Sequence, residues 1–86
     1  MGKTRQSKQM TSSDIFAANL RGLMAVKQVS PTEMQGYMCI SSATWYKRLR
    51  HPYEFTLGNM ESAARRLGVE LSDMISRVMA VGGDVA

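Results

Sequence analysis

Little in this sequence can hold a metal or close a cross-link, for it has one cysteine, Cys39, and one histidine, His51. A lone thiol forms no internal disulfide, and one Cys with one His falls short of a structural zinc site. Neither a metal nor a cofactor is expected, and the single thiol suits a reducing, cytoplasmic setting. Nor does any stretch approach the roughly 18 consecutive apolar residues that a membrane-spanning helix requires. The basic N-terminus, with Lys3, Arg5 and Lys8, leads into no apolar run of the kind a signal peptide needs. Catalytic signatures are missing too: no GxxxxGK[ST], no HExxH, and no Ser/His/Asp set that the apolar pattern would gather. Glu61, Glu70 and Asp73 are scattered acids on faces that read as exposed. An enzyme, a small-molecule substrate and a membrane role are all unexpected.

What is present fits one small globular domain: 86 residues, 44% hydrophobic, with a net charge of +4 that favours anionic partners. Residues 1–13 are polar and basic without periodicity, which predicts a flexible arm. Residues 14–81 carry helical spacing throughout, and 82–86 read as a disordered tail. Phe16, Leu20, Leu23 and Met24 form one stripe of a first helix, with Ser12 or Ser13 as its cap. Ser30-Pro31-Thr32-Glu33 is a strong start signal, with Ser30 at the N-cap, Pro31 at the first position and Glu33 placed for a capping box. Ser41-Ser42 offers a second cap, and Trp45 with Leu49 marks the inner side of a third helix that ends at His51-Pro52. Thr56 caps a fourth helix, Leu57–Leu67, whose apolar positions are Leu57, Met60, Ala64 and Leu67, with Gly68 as terminator. A fifth, capped by Ser72, should carry Leu71, Met74, Ile75, Val78 and Met79 as far as Gly82. With no alternating strand pattern, the expectation is an all-α compact bundle of about five short helices.

Two helices joined by three or four residues, the second short and basic, outline a helix-turn-helix. Here the pair is Pro31–Met38 and Ser42–Arg50. At this point a resemblance becomes specific. The run PTEMQGYMCISSATWYKRLRHPYEFTLGNMESAARRLGVELSDMI is similar to the Cro/repressor-type (lambda-repressor-like) helix-turn-helix family of phage and bacterial regulators. Asn19-Leu20-Arg21 resembles that family's first helix and Leu67-Gly68-Val69 the end of its fourth. ISSATWYKRLRHP resembles a phage-associated subgroup with an aromatic pair in the recognition helix followed by a basic-Leu-basic run. Two positions depart from the family pattern: Gln35 stands where a small residue is usual, and Cys39 where the turn commonly has glycine. Either would open the turn slightly or shift its register by one residue. The resemblance implies a lambda-repressor-like bundle with the helix-turn-helix at helices two and three, acting as a small transcriptional regulator, a repressor in particular.

The residues themselves point the same way. No acid occurs from Met34 to Tyr53, while Lys47, Arg48, Arg50 and His51 fall within five positions. With Trp45 and Leu49 inward, Ser42, Ala43, Tyr46 and Lys47 are placed to meet base edges in a major groove. Arg48 and Arg50 are placed for phosphates. So are Ser30 and Thr32, since a helix N-terminus offers free N–H groups and a positive dipole end. Trp45 reads as core, Cys39 as a small buried hydrophobe, and eight methionines as adaptable packing.

One helix in one groove reads only a few base pairs, so a homodimer on a palindromic double-stranded operator is expected, its half-sites about 34 Å apart or a multiple of that. Leu71, Met74, Ile75, Val78 and Met79 are the candidate dimer surface, unless they cap the monomer's own core. The competing reading is a helical protein-interaction module, antitoxin-like or anti-repressor, which would show an apolar patch around Tyr46 in place of a basic face. RNA binding is a weaker third, because no aromatic platform on a sheet is in prospect.

Overall fold

The computed structural model describes residues 10–79. These form a small all-α bundle with five α-helices: α1 (Ser12–Lys27), α2 (Pro31–Met38), α3 (Ser42–Arg50), α4 (Leu57–Leu67) and α5 (Leu71–Ser76), with a 3₁₀ turn at Pro52–Glu54. No strand is present among the described residues, and none of their helices is long and apolar enough to cross a membrane. The greater part of the expected arm (residues 1–9) and the expected tail (82–86) lie outside the described residues.

Local chemistry accounts for the starts. Ser30, Ser41 and Thr56 each accept a hydrogen bond from the N–H three residues on, at 3.0–3.2 Å. This satisfies a donor that the first helical turn leaves without a partner. The α1 cap is Thr11, earlier than either serine expected for it, because Asp14 is then at the third position and closes the capping box with Thr11. Residues 11–13 therefore belong to the bundle and not to the arm. Glu33 closes no such box: its carboxylate turns to Arg66 instead.

Three helices stop in the same way. Gln28, Cys39 and Gly68 adopt left-handed backbone, with φ of 58°, 60° and 72°. The next residue, Val29, Ile40 or Val69, donates its N–H back across the last turn, to Met24, Gln35 and Ala64 respectively. That is the Schellman closure, in which the residue after the left-handed one is apolar and packs on the helix it ends. Val29 is buried and Ile40 and Val69 pack against the core.

Phe16, Leu20, Leu23 and Met24 of α1 meet Met34 and Met38 of α2, Trp45 of α3, Phe55, Ala63, Ala64 and Leu67 around α4, and Met74 of α5 in one apolar cluster. Each large side chain so buried contributes about 1.5–3 kcal/mol. Three aromatics run through its middle. Phe16 and Phe55 meet edge to face at 5.3 Å between centroids, and Phe55 meets Trp45 at 6.3 Å. Leu57 departs from its expected inward position: as the first residue of α4 it is 63% exposed, and Asn59 and Ala63 are buried in its place.

The fifth helix is shorter than its apolar stripe suggested. It ends at Ser76, and its N-cap is Glu70, without a side-chain bond, so that Ser72 lies inside it. The cause lies far away in sequence. Buried Asn19 on α1 donates through its amide to the Met74 and Arg77 carbonyls at 2.9 and 3.0 Å, and accepts the Met79 N–H at 2.7 Å. The chain from Arg77 is thereby drawn out into extended backbone. A six-residue helix has no standing of its own, so this clamp holds it. Asn19→Ala should cost about 2–4 kcal/mol, since two carbonyls and an N–H lose their partner at once. Urea unfolding measures the total, and hydrogen exchange should show faster opening of α5 than of α2 and α4.

Candidate nucleic-acid interface

The expected pair of helices forms, with Cys39–Ser41 between them. Both departures from the family pattern have a structural account. Cys39 takes the left-handed conformation that glycine takes most readily, and it is exposed, which corrects the expectation of a buried thiol. Its conformation costs about 1 kcal/mol relative to glycine. Cys39→Gly should therefore raise stability by about 1 kcal/mol, read as a higher urea midpoint with an unchanged slope. Gln35 is buried at the contact of the two helices, and its Oε1 accepts a 2.8 Å hydrogen bond from the Ser42 hydroxyl. The polar side chain thus ties the start of α3 to the middle of α2. Sequence reasoning saw Gln35 only as an anomaly.

Along α3 the exposures follow the helical period. Ser42, Ala43, Tyr46, Lys47 and Arg50 are exposed, Trp45 is buried, and Thr44, Arg48 and Leu49 lie between. The N-terminal end of this face is small, with Ser42 engaged sideways to Gln35, and its C-terminal end is basic. Tyr46 is half exposed and free to project. On the flank, Ser30 and Thr32 are both exposed at the start of α2. Pro31 has no N–H, the Ser30 hydroxyl oxygen takes that of Glu33, and the Ser30 carbonyl takes that of Met34. The first turn thus offers an anion the Thr32 N–H and two hydroxyl protons.

Three basic residues are engaged in ways the sequence did not announce. Arg48, expected on phosphates, turns inward and donates to Asn59 Oδ1, the same oxygen that accepts the Thr56 N–H. It belongs with the residues that hold α3 on the start of α4, because the α4 capping box presents an acceptor within its reach. Lys47 stands 3.7 Å from Glu54, a pair exposed on its lysine side and of the kind worth under about 1 kcal/mol. Such a pair opens readily when a phosphate competes. Glu54, just past the acid-free stretch, is thus the acid closest in role to the basic face. Arg21 of α1 donates to the Leu49 carbonyl at 3.4 Å, closing the end of α3.

The five residues considered for a dimer surface do not share one environment. Met74 is wholly buried in the monomer's own core, and Leu71, Ile75 and Met79 pack against that core while partly accessible. Val78 is exposed. Met74 is accordingly removed from the candidate surface: α5 spends its apolar side closing the bundle. Among the described residues no group of His, Cys, Asp and Glu is arranged to hold a metal ion.

No protein-family model, curated protein or solved structure matches this chain.

Proposed function

We propose that this protein binds double-stranded DNA sequence-specifically, laying α3 in the major groove, and acts as a small transcriptional regulator. One observation carries the reading above the others: the exposed side of α3 combines short residues at its start (Ser42, Ala43) with Tyr46, Lys47 and Arg50, and bears no acid. Short side chains let the helix backbone approach base edges, while longer basic ones reach edges and phosphates. Ser30 and Thr32 fit a phosphate on the adjacent strand, and Arg50 a second one. A single helix of nine residues reads too little sequence for a unique address, so a second copy of the chain on a palindromic site completes the proposal.

The test is selection of genomic fragments by the purified protein across a salt series. Enrichment of a palindrome, with affinity falling steeply as salt rises, is the expected outcome. Sequence-blind or absent binding would displace the reading in favour of a protein-interaction module. That second reading has its own observation: Tyr46, Tyr53 and Leu57, from α3 to the start of α4, are 49%, 72% and 63% exposed. Exposed aromatic and aliphatic side chains in one segment suit a protein partner as well as a nucleic acid.

A further inference from the structure

The side of the molecule formed by α2 and α4 carries a cleft of about 250 Å³ lined by Tyr37, Ser62, Arg65 and Arg66. None of these residues lies on α3. Every hydrogen-bonding side chain in the lining is a donor: two guanidinium groups, a serine hydroxyl and a phenol. Arg66 is held in place before any ligand arrives. Its Nε and Nη2 both donate to Glu33 Oε2, at 3.1 and 2.7 Å, and its guanidinium lies 5.5 Å from the Tyr37 ring centroid. The Glu33 hydrogen bond also keeps the Arg66 pKa above the ordinary arginine value.

Arg65 is different. It is exposed, and among the described residues it forms no ion pair, even with Glu61 one helical turn before it. The fold makes no evident use of it. The cleft therefore pairs one fixed guanidinium with one uncommitted guanidinium and two hydroxyls, and the Glu33 carboxylate beside it is already engaged by Arg66.

We propose that this cleft binds a phosphate group. A phosphate has two unesterified oxygens in a diester and three in a monoester, free to accept from several donors at once, and a guanidinium fork matches two of them. The volume exceeds that of the phosphate alone, which leaves room for what bears it, either a small phosphorylated molecule or the backbone of DNA. The assignment is independent of α3, and so is its test.

The full chain is titrated with inorganic phosphate at constant ionic strength, with chloride as the balancing anion, and followed by NMR. Saturable shifts at Tyr37, Ser62 and Arg65 are expected. Arg65→Ala should weaken them by about tenfold or more, as loss of a charge-assisted contact would. Lys27→Ala, which removes an equal charge from the end of α1, should leave them as they were. Adenosine monophosphate and duplex DNA are the second and third probes. If the source is a small molecule, the nucleotide binds more tightly than phosphate and Arg65→Ala leaves DNA affinity unchanged. If it is DNA, Arg65→Ala lowers the salt slope of DNA binding by about one. Absence of saturable shifts, an Arg65→Ala titration like that of the wild type, or equal weakening by Lys27→Ala would overturn the proposal. The phosphate titration does not involve α3, so its failure would leave the DNA-binding reading standing.

Discussion

Trp45→Ala is expected to remove about 3–5 kcal/mol of folding free energy, which is most of what a domain of this size possesses. Trp45 is 2% exposed and is the one residue of α3 buried in the core. Through Phe55 it connects to Phe16, so a single ring joins α3, the turn that follows it and α1. Truncation leaves a cavity that short helices on fixed neighbours cannot close. The measurement is urea unfolding followed by circular dichroism, since the variant has lost the chain's only tryptophan. Trp45→Phe gives the informative contrast. The indole Nε1 is buried with no hydrogen-bond partner, an unfavourable state that phenylalanine removes. Relief of that donor offsets the lost volume, and Trp45→Phe should cost only about 1 kcal/mol. Equal losses for the two variants would show that the core tolerates the ring's shrinkage no better than its absence, and would refute this account of the orphan donor.

Lys47→Ala combined with Arg50→Ala should leave stability nearly unchanged and reduce DNA affinity by about 2–5 kcal/mol, roughly 30-fold to several thousand-fold. Both side chains are exposed, and the one interaction at stake in the fold is the 3.7 Å Lys47–Glu54 pair. The single variants should differ in kind. Arg50→Ala, which removes a proposed phosphate contact, should weaken all sequences alike and lower the salt slope by about one. Lys47→Ala, which removes a proposed base-edge contact, should flatten discrimination among operator variants. Glu54→Gln supplies the opposite sign: without its carboxylate Lys47 is released and the face is more positive, so DNA binding should strengthen. A large fall in melting temperature for the double variant would show that these residues serve the fold. Unchanged DNA affinity would remove α3 from the interface.

Much of the chain's behaviour that depends on neighbours within four residues was legible in the sequence, the Thr11 cap of α1 and the Glu70 cap of α5 being exceptions. Ser30, Ser41 and Thr56 mark their helices because a hydroxyl and the N–H three residues later meet whatever the rest of the chain does. The outward face of α3 could be read from Trp45 and Leu49, since a helix that turns those two positions toward the core must expose Ala43, Tyr46, Lys47 and Arg50. The ends of α1 and α2 were harder. Gln28 and Cys39 take a conformation that glycine announces and they do not, and the apolar residue after each was the available signal.

Of the candidate interface, the sequence determined its position and its sign: a short basic helix after a three-residue turn, free of acids along its exposed side. The tertiary structure alone decided which charges are available there. Arg48 is taken up by an oxygen of Asn59, eleven residues on, Lys47 meets Glu54, and Arg66 meets Glu33 across 33 residues. It also decided where α5 stops, through Asn19 and partners 55 to 60 residues away. The division has one physical cause. Capping and periodicity are properties of a single helical turn, whereas a long polar side chain chooses among acceptors that only packing brings within reach.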